Sequence, residues 1–244
     1  MSKVVIATPV YGKVESASVS YGYHSAVCRL LRDPAISFIE GRIFMNVDLV
    51  RARSRAVRMF LESPGTHLLF WDCDVVPRDL GVIGAMAASG KDVISLPYPR
   101  KRVDWDKVSD YVRDENEQAE LGRQSGPELE GHSTDWPIRG TKELPVDGVI
   151  RVNECGLGFT MIRREAIEKM IAAHPELYFR DAVDGTVHPT FALFQLIIDP
   201  VNRDILSEDY SFCRRWRDLG GEIHMILDPA SHVGEHVFGG HLHG

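Results

Sequence analysis

The amino-acid sequence predicts an α/β fold in which helices cover both faces of a mostly parallel sheet. Apolar, β-branched runs alternate with helical segments of about a dozen residues, as in sheets whose parallel strands are joined by helices. The runs are 3–10, 35–41, 67–72 and 92–98, and the helical segments between them are 17–32, 47–62 and 79–89. Because ligands bind beyond the carboxyl ends of parallel strands, we expect the functional residues in the loops that follow these runs.

Boundary signals support the individual elements. In segment 47–62 apolar residues recur at helical spacing, and Ser63-Pro64-Gly65 ends the helix. Residues 163–174 predict another helix. Ser207 is the expected N-cap of the last predicted helix, which Gly220-Gly221 ends, and 222–227 is the last predicted strand.

Two segments lack this periodicity. Polar and acidic residues dominate between 98 and 148, and we expect an irregular inserted loop or lid there. Segment 174–204 is expected to be mostly loop, with one apolar piece at 191–198.

Composition limits the function classes. The chain has 244 residues, 44% of them hydrophobic and 26% charged, which is typical of one globular domain. A net charge of −7 disfavours a broad basic surface for polyanions. The four cysteines show no CxxC spacing and are expected to be reduced thiols. With no apolar run long enough for a membrane span and no signal peptide, we expect a cytoplasmic protein.

Two carboxylates, Asp72 and Asp74, stand directly after the third apolar run. Charges at the end of a buried strand must be paired or bound to a cation. Oxygen ligands suit Mg²⁺ or Mn²⁺, and such ions bridge carboxylates and substrate phosphates. The alternative is a loop that caps the next helix near Asp79, so metal binding is a hypothesis at this point.

Two further clusters have a structural and a chemical interpretation. Glu208 and Asp209 in the first turn of a helix complement its dipole, or one of them acts as a general base. His232 follows the last predicted strand and could give a nitrogen ligand to a metal held by Asp74, or be structural. A role for the nearby His236 stays open.

Five segments, taken in order, resemble GT-A glycosyltransferases. They are IATPVYG, DLVRARSRAVRMFLESPGTHLLFWDCDVVP, ECGLGFTMIRREAIEKM, LSEDYSFCRRWRDLGG and HVGEHVF. The likeness is to small bacterial and phage-type enzymes with DxD and HxGxHxF patterns, distantly similar to Anp1-type mannosyltransferases. It implies one GT-A domain over 1–244, with a nucleotide-binding half at 1–97, the insertion at 98–148, and an acceptor and metal half at 149–244.

The resemblance also implies three sets of site residues. The nucleotide and sugar set comprises Thr8, Pro9, Tyr11, Arg51, Arg55, Asp72, Gly156 and Gly158. The metal set comprises Asp72, Asp74 and His232. The catalytic set is Asp209, the candidate base, with Glu208 beside it.

The implied activity is metal-dependent transfer of a sugar from a UDP- or GDP-sugar to an acceptor hydroxyl, with Mn²⁺ or Mg²⁺ as cofactor. The acceptor stays open between a glycan, a protein, a small molecule and a modified DNA base. Inversion would need Asp209 as a base, whereas retention would not. A non-catalytic nucleotide-sugar sensor or partner subunit is one alternative. A nucleotidyltransferase is another, although TPVYGKVES is a poor match to its phosphate-binding loop.

Overall fold

The computed structural model of the protein describes residues 1–10, 33–34, 36–45, 48–117, 133–140, 144–183, 185–233 and 237–238. Its strands are β1 (Ser2–Val10), β2 (Ile36–Met45), β3 (His67–Trp71), β4 (Val75–Val76), β5 (Val93–Ser95), β6 (Ile138–Arg139), β7 (Val149–Val152), β8 (Glu154–Cys155), β9 (Phe159–Arg163), β10 (Tyr178–Val183), β11 (Thr186–Phe191), β12 (Ile197–Ile198), β13 (Ile205–Leu206), β14 (Ile223–Ile226), β15 (Ser231–Val233) and β16 (Val237–Phe238). Its helices are α1 (Leu49–Leu61), α2 (Val82–Ala88), α3 (Trp105–Glu117), α4 (Arg164–Ala173) and α5 (Glu208–Asp218). The predicted helix over 17–32, Tyr11 and His236 lie outside the described residues.

Seven strands form the central sheet in the order β2-β1-β3-β9-β5-β14-β7. The pairs β1–β2, β1–β3 and β5–β14 are parallel, and β9 and β7 run antiparallel to their neighbours. The predicted α/β class with a mainly parallel sheet is therefore confirmed. The antiparallel direction of β9 has a consequence for function, because this strand begins at the edge where the parallel strands end.

The two faces of the sheet bury separate apolar clusters. Side chains of a strand alternate between the faces, so Val5 packs with α1, α4 and α5 whereas Val4 packs with α2. Helices therefore cover both faces, as the alternating pattern predicts. None of the helices in the described ranges is long and apolar enough to cross a membrane. Cys73, Cys155 and Cys213 are free thiols, as expected.

Two segments expected to be loops contain regular structure. Helix α3 lies inside the 98–148 insertion, and Asp104 accepts a hydrogen bond from the backbone N–H of Lys107 at its start. Most of its described side chains are solvent-exposed, and the polar composition of the segment suggests a loop although Trp105, Val108 and Val112 recur at helical spacing. Strands β10 and β11 form an antiparallel hairpin within 174–204. Its buried positions include the polar Asp181 and Thr190, so the apolar alternation typical of strands is missing.

Arg164, the first residue of α4, fixes the end of helix α1. Its guanidinium donates hydrogen bonds to the carbonyl oxygens of Phe60, Leu61, Ser63 and Gly65 at 2.7–3.3 Å. It also lies over the Phe60 ring, with its Cζ 4.6 Å from the ring centroid. The last carbonyls of a helix have no partner within the helix, so Arg164 supplies donors to two of them, Phe60 and Leu61, and to two carbonyls just beyond the helix.

We therefore expect Arg164→Met to lower the free energy of unfolding by roughly 2–4 kcal/mol, because several carbonyl groups lose a charged donor. Urea unfolding followed by circular dichroism measures the change. Arg163→Met is the matched control: Arg163 is partly exposed and lies 3.5 Å from the surface acids Asp92 and Glu165, so a loss under about 0.5 kcal/mol is expected. Equal losses in the two variants would contradict this role of Arg164.

Candidate active site

The carboxyl ends of β1 and β3 bring the first two predicted motifs together. Ala7 pairs with Phe70 in the parallel register, so Thr8 and Asp72 emerge at the same edge of the sheet. Strand β9 begins beside them, and the backbone N–H of Asp72 donates a 2.7 Å hydrogen bond to the carbonyl of Gly158. The acidic motif and the Gly-rich turn are therefore neighbours.

Arg53, a residue of α1, is buried between two carboxylates. Its Nη2 lies 3.1 Å from Asp72 Oδ2 and 3.4 Å from Asp209 Oδ1, and its side chain is 1% exposed. The guanidinium also lies over the Phe70 ring, with Cζ 5.0 Å from the centroid. A single buried cation thus links the loop after β3 to the first turn of α5.

Burial raises the pKa of both carboxyl groups that contact Arg53. It raises the pKa of Asp209 to about 6, with Arg53 opposing the shift and Glu208 adding to it. For Asp72 burial again raises the pKa, while Arg53 lowers it and Asp209 and Asp74 raise it further. Ionised carboxylates are disfavoured in a low-dielectric surrounding, and the guanidinium offsets only part of that effect.

Asp74 and His232 meet across a small separate sheet. In the antiparallel pairing of β15 with β4, His232 lies opposite Val75, and the N–H of Val233 donates a 2.7 Å hydrogen bond to the carbonyl of Asp74. His232 Nε2 is 3.4 Å from Asp74 Oδ2. Residues more than 150 positions apart in the chain are thereby brought into direct contact.

The other ring nitrogen of His232 has a defined partner. Nδ1 lies 2.8 Å from the carbonyl oxygen of Pro99, which can only accept, so we assign the Nδ1 proton to this bond. Nε2 is then the nitrogen directed at Asp74. Histidine ligands of metals are commonly oriented in this way, by a hydrogen bond from the second ring nitrogen to a carbonyl.

The surroundings of Asp74 favour its charged form. Burial by itself would raise the pKa of Asp74, but the contacts with His232 and Lys101 lower it to about 2. Lys101 Nζ lies 2.5 Å from Asp74 Oδ2. The pKa of Asp74 therefore lies well below that of Asp209.

Tyr98 lies against the Gly-rich turn and leaves no room for a side chain at positions 156 and 158. A Cβ atom at Gly156 would collide with the Tyr98 hydroxyl, and one at Gly158 would lie 2.8 Å from that hydroxyl and 3.0 Å from Asp72 Oδ2. The Tyr98 hydroxyl accepts a 2.9 Å hydrogen bond from the N–H of Gly158, and burial raises its pKa. Its ring packs edge-on against His232 at a centroid distance of 5.2 Å.

These elements open onto one cleft of about 370 Å³. Its wall includes residues of the turn, of the first turn of α5, and of β15, namely Tyr98, Arg100, Pro137, Arg139, Gly156, Ile205, Ser207, Glu208, Asp209, Tyr210 and His232. Ser207 caps α5 as predicted, because its side chain accepts from the N–H of Tyr210. His232 of the candidate metal set and Asp209, the candidate base, therefore line the same cleft.

The donor chemistry fits a hard divalent cation, although the ligand set is partial. Asp74 and His232 supply oxygen and nitrogen, and Asp72 Oδ1 is buried without a hydrogen-bond partner. Within the described ranges no three His, Cys, Asp or Glu side chains form a metal cluster, and Asp72 Oδ2 contacts Arg53. Mg²⁺ and similar ions are often held by one or two carboxylates, with substrate phosphates and water completing the shell.

The other predicted nucleotide residues lie in two places, in β1 and on helix α1. Thr8 is buried and its Oγ1 has no hydrogen-bond partner, and Pro9 follows it in β1. Arg55 forms a bidentate pair with Asp181 at 2.6 and 3.0 Å, and Arg51 lies 4.0 Å from the same carboxylate. Both arginines therefore contact the β10–β11 hairpin, and their role toward a nucleotide stays a prediction.

Three residues of the site do not appear among the sequence-based candidates: Arg53, Tyr98 and Lys101. A signal for Arg53 exists, because it precedes the buried Ala56 and Val57 by three and four positions and so lies on the apolar face of α1. A charged residue on a buried helix face must have a partner. Tyr98 and Lys101 belong to the aperiodic segment after β5, where the sequence carries no comparable signal.

Comparison with known proteins places the fold. The sequence matches no protein-family model and no curated protein. The crystal structure of A197 from STIV matches with a TM-score of 0.51 and 20% sequence identity, covering 99% of this chain and 95% of that chain. That likeness shows the fold alone. The structure of CMP:2-keto-3-deoxy-manno-octonic acid synthetase complexed with CTP matches at a TM-score of 0.39 and 8% identity over 93% of this chain and 94% of that one, too distant to support a conclusion.

We expect Arg53→Met to lower the free energy of unfolding by about 3–5 kcal/mol, because two buried carboxyl groups lose their cation. The variant raises the folded-state pKa of Asp72 and Asp209 further above the unfolded value, so stability is lost as pH rises. The deficit should therefore be smaller at pH 5 than at pH 8 in urea titrations. Arg51→Met, on the same helix but half exposed, is the control. A pH-independent deficit would contradict the assignment.

Proposed function

We propose that this protein is a glycosyltransferase that uses a divalent cation to transfer a sugar from a nucleotide-sugar to an acceptor hydroxyl. One observation carries the proposal: His232, which contacts Asp74, lines the same cleft as Asp209, and the pKa of Asp74 is lowered to about 2 whereas that of Asp209 is raised to about 6. Two carboxyl groups with opposite shifts suit two different tasks, one binding a cation and one exchanging a proton. The resemblance of the sequence to GT-A enzymes supports the same interpretation.

Asp74 and His232 are the residues that would hold Mn²⁺ or Mg²⁺, with Asp72 Oδ1 as the neighbouring oxygen. When bound, such an ion supplies positive charge opposite the diphosphate leaving group. The chain itself keeps Asp74 ionised and directs His232 Nε2 at it through the Pro99 carbonyl. The ligand atoms are therefore oriented before any ion arrives.

Asp209 is the proposed general base. It lines the cleft with its side chain 15% exposed, and its pKa of about 6 leaves it ionised yet basic near neutral pH. A carboxylate in this state can accept the proton of an acceptor hydroxyl as the oxygen attacks the sugar, and the bond to the leaving diphosphate breaks. Arg53 holds Asp209 in place on α5. This assignment implies inversion of the anomeric centre.

We expect Asp74→Asn and His232→Gln to reduce metal-stimulated turnover by roughly 10²-fold or more, since each removes a group that orients charge against the leaving diphosphate. The assay is hydrolysis of a panel of UDP- and GDP-sugars with Mn²⁺ and with a chelator, and unchanged circular dichroism verifies folding. Asp92→Asn, a surface acid beside Arg163, is the control. Wild-type turnover by Asp74→Asn in the presence of the chelator would overturn the proposed metal role.

For Asp209→Asn we expect transfer to fall by about 10²–10⁴-fold while binding of UDP or GDP is retained, because only proton transfer is lost. In the wild type, kcat/KM should rise with an acid limb near pH 6, following deprotonation of Asp209. Asp218→Asn, at the exposed end of the same helix, should leave both unchanged. If Asp209→Asn keeps full transfer activity and kcat/KM shows no acid limb near pH 6, Asp209 is not the base, and retention of configuration is favoured.

The same substitution should stabilise the fold at neutral pH. The folded pKa of Asp209 lies above its unfolded value of about 3.9, so its ionisation reduces stability as pH rises from about 4 to 6. Asp209→Asn removes that effect, and we expect a gain of about 1–2 kcal/mol at pH 7.5 that disappears at pH 4. Urea unfolding at the two pH values measures it, and a destabilised variant at pH 7.5 would contradict the shift.

A further inference from the structure

Lys101 contacts the one oxygen of Asp74 that also faces His232. Its Nζ lies 2.5 Å from Asp74 Oδ2, and His232 Nε2 lies 3.4 Å from the same atom. A Mg²⁺ or Mn²⁺ ion would sit only about 2.0–2.2 Å from an oxygen ligand. The ammonium therefore fills part of the space that a cation between Asp74 and His232 would need.

The backbone around Lys101 is fixed by its neighbours in the sequence. Arg100 and Arg102 both contact the carboxylate of Asp135, and the N–H of Arg100 donates a 2.7 Å hydrogen bond to the Asp135 carbonyl. Of these three consecutive basic residues, the middle one is directed at Asp74. A change in its contact therefore requires rotation of one flexible side chain, with no movement of the segment.

The contact between Lys101 and Asp74 is suited to exchange. The two side chains are 34% and 35% exposed, and ion pairs with this much solvent access contribute little free energy. A lysine ammonium and a divalent cation on the same carboxylate would also repel each other. Phosphate groups that arrive beside the cation offer the displaced ammonium a new acceptor of opposite charge.

We propose that Lys101 is an exchangeable counter-ion, which neutralises Asp74 before the cation binds and afterwards binds the phosphates of the nucleotide-sugar. The proposal rests on the proposed function, because it concerns the same cation and donor. The insertion then takes part in substrate binding, because Lys101 leaves Asp74 when the cation binds and contacts the diphosphate when the nucleotide-sugar binds. A fixed structural ion pair would behave differently: its removal would weaken the cation site or leave it unchanged.

The test uses the full chain and two binding measurements that need no turnover. Mn²⁺ alone is titrated into the protein, with free Mn²⁺ followed by electron paramagnetic resonance, and UDP and GDP are titrated by calorimetry at saturating Mn²⁺. We expect Lys101→Met to bind Mn²⁺ roughly two- to fivefold more tightly, as loss of a weak competing ion pair implies. The same variant should bind the better of the two nucleotides about five- to tenfold more weakly, since a charged phosphate contact is lost.

Two further variants make the result specific. Lys101→Arg keeps the positive charge and should stay within about twofold of the wild type in both measurements. Lys107→Met removes an exposed lysine near Asp104 and Asp135 in the same segment and should change neither. The role of Lys101 is overturned if Lys101→Met binds Mn²⁺ no more tightly than the wild type, or binds the nucleotide with unchanged affinity. The proposed function still stands in that case if Asp74→Asn abolishes Mn²⁺ binding. Absence of Mn²⁺ binding in the wild type and in Lys101→Met overturns both.

Discussion

The buried guanidinium of Arg53 is the interaction on which the rest of the site depends. Its Nη2 contacts Asp72 on the loop after β3 and Asp209 on α5, so three separate elements share one charge. An unpaired buried charge is strongly destabilising, which means that none of the three can move away alone. Arg164 fixes the far end of α1 through four carbonyl groups. The helix that carries Arg53 is thus held at both ends relative to the sheet.

Two acids of the candidate site differ in their chemistry because their surroundings differ. Asp74 is partly exposed and has a histidine and a lysine beside it, and its pKa is low. Asp209 has one shared cation and the nearby Glu208, and its pKa is high. The side chains are chemically identical, so the difference comes from burial and from which cation each one contacts. The fold therefore produces a cation-binding group and a proton acceptor from the same residue type.

The sequence predicts those features of the fold that depend on local patterns. The strand ends at Asp72, the cap at Ser207 and the stop after α1 all follow from short-range chemistry, and the structure has them at the expected places. Features set by long-range packing could not be obtained in this way. The antiparallel direction of β9 depends on its pairing with β3, which is distant in the sequence. The β10–β11 hairpin buries Asp181 against Arg55, so the buried positions of the hairpin show no apolar pattern.

The same distinction explains which site residues the sequence indicates. Asp74 and His232 are indicated by their places just after predicted strands, whereas Asp209 is indicated by the resemblance, because an acid in the first turn of a helix also complements the helix dipole. Their partners are harder to find, because Lys101 and Pro99 come from a segment without periodicity. That segment nevertheless supplies the carbonyl that orients His232, the Tyr98 hydroxyl that leaves room only for glycine at positions 156 and 158, and the ammonium on Asp74. The beginning of the insertion is thus a wall of the candidate active site, built from backbone and side-chain contacts rather than from any sequence motif.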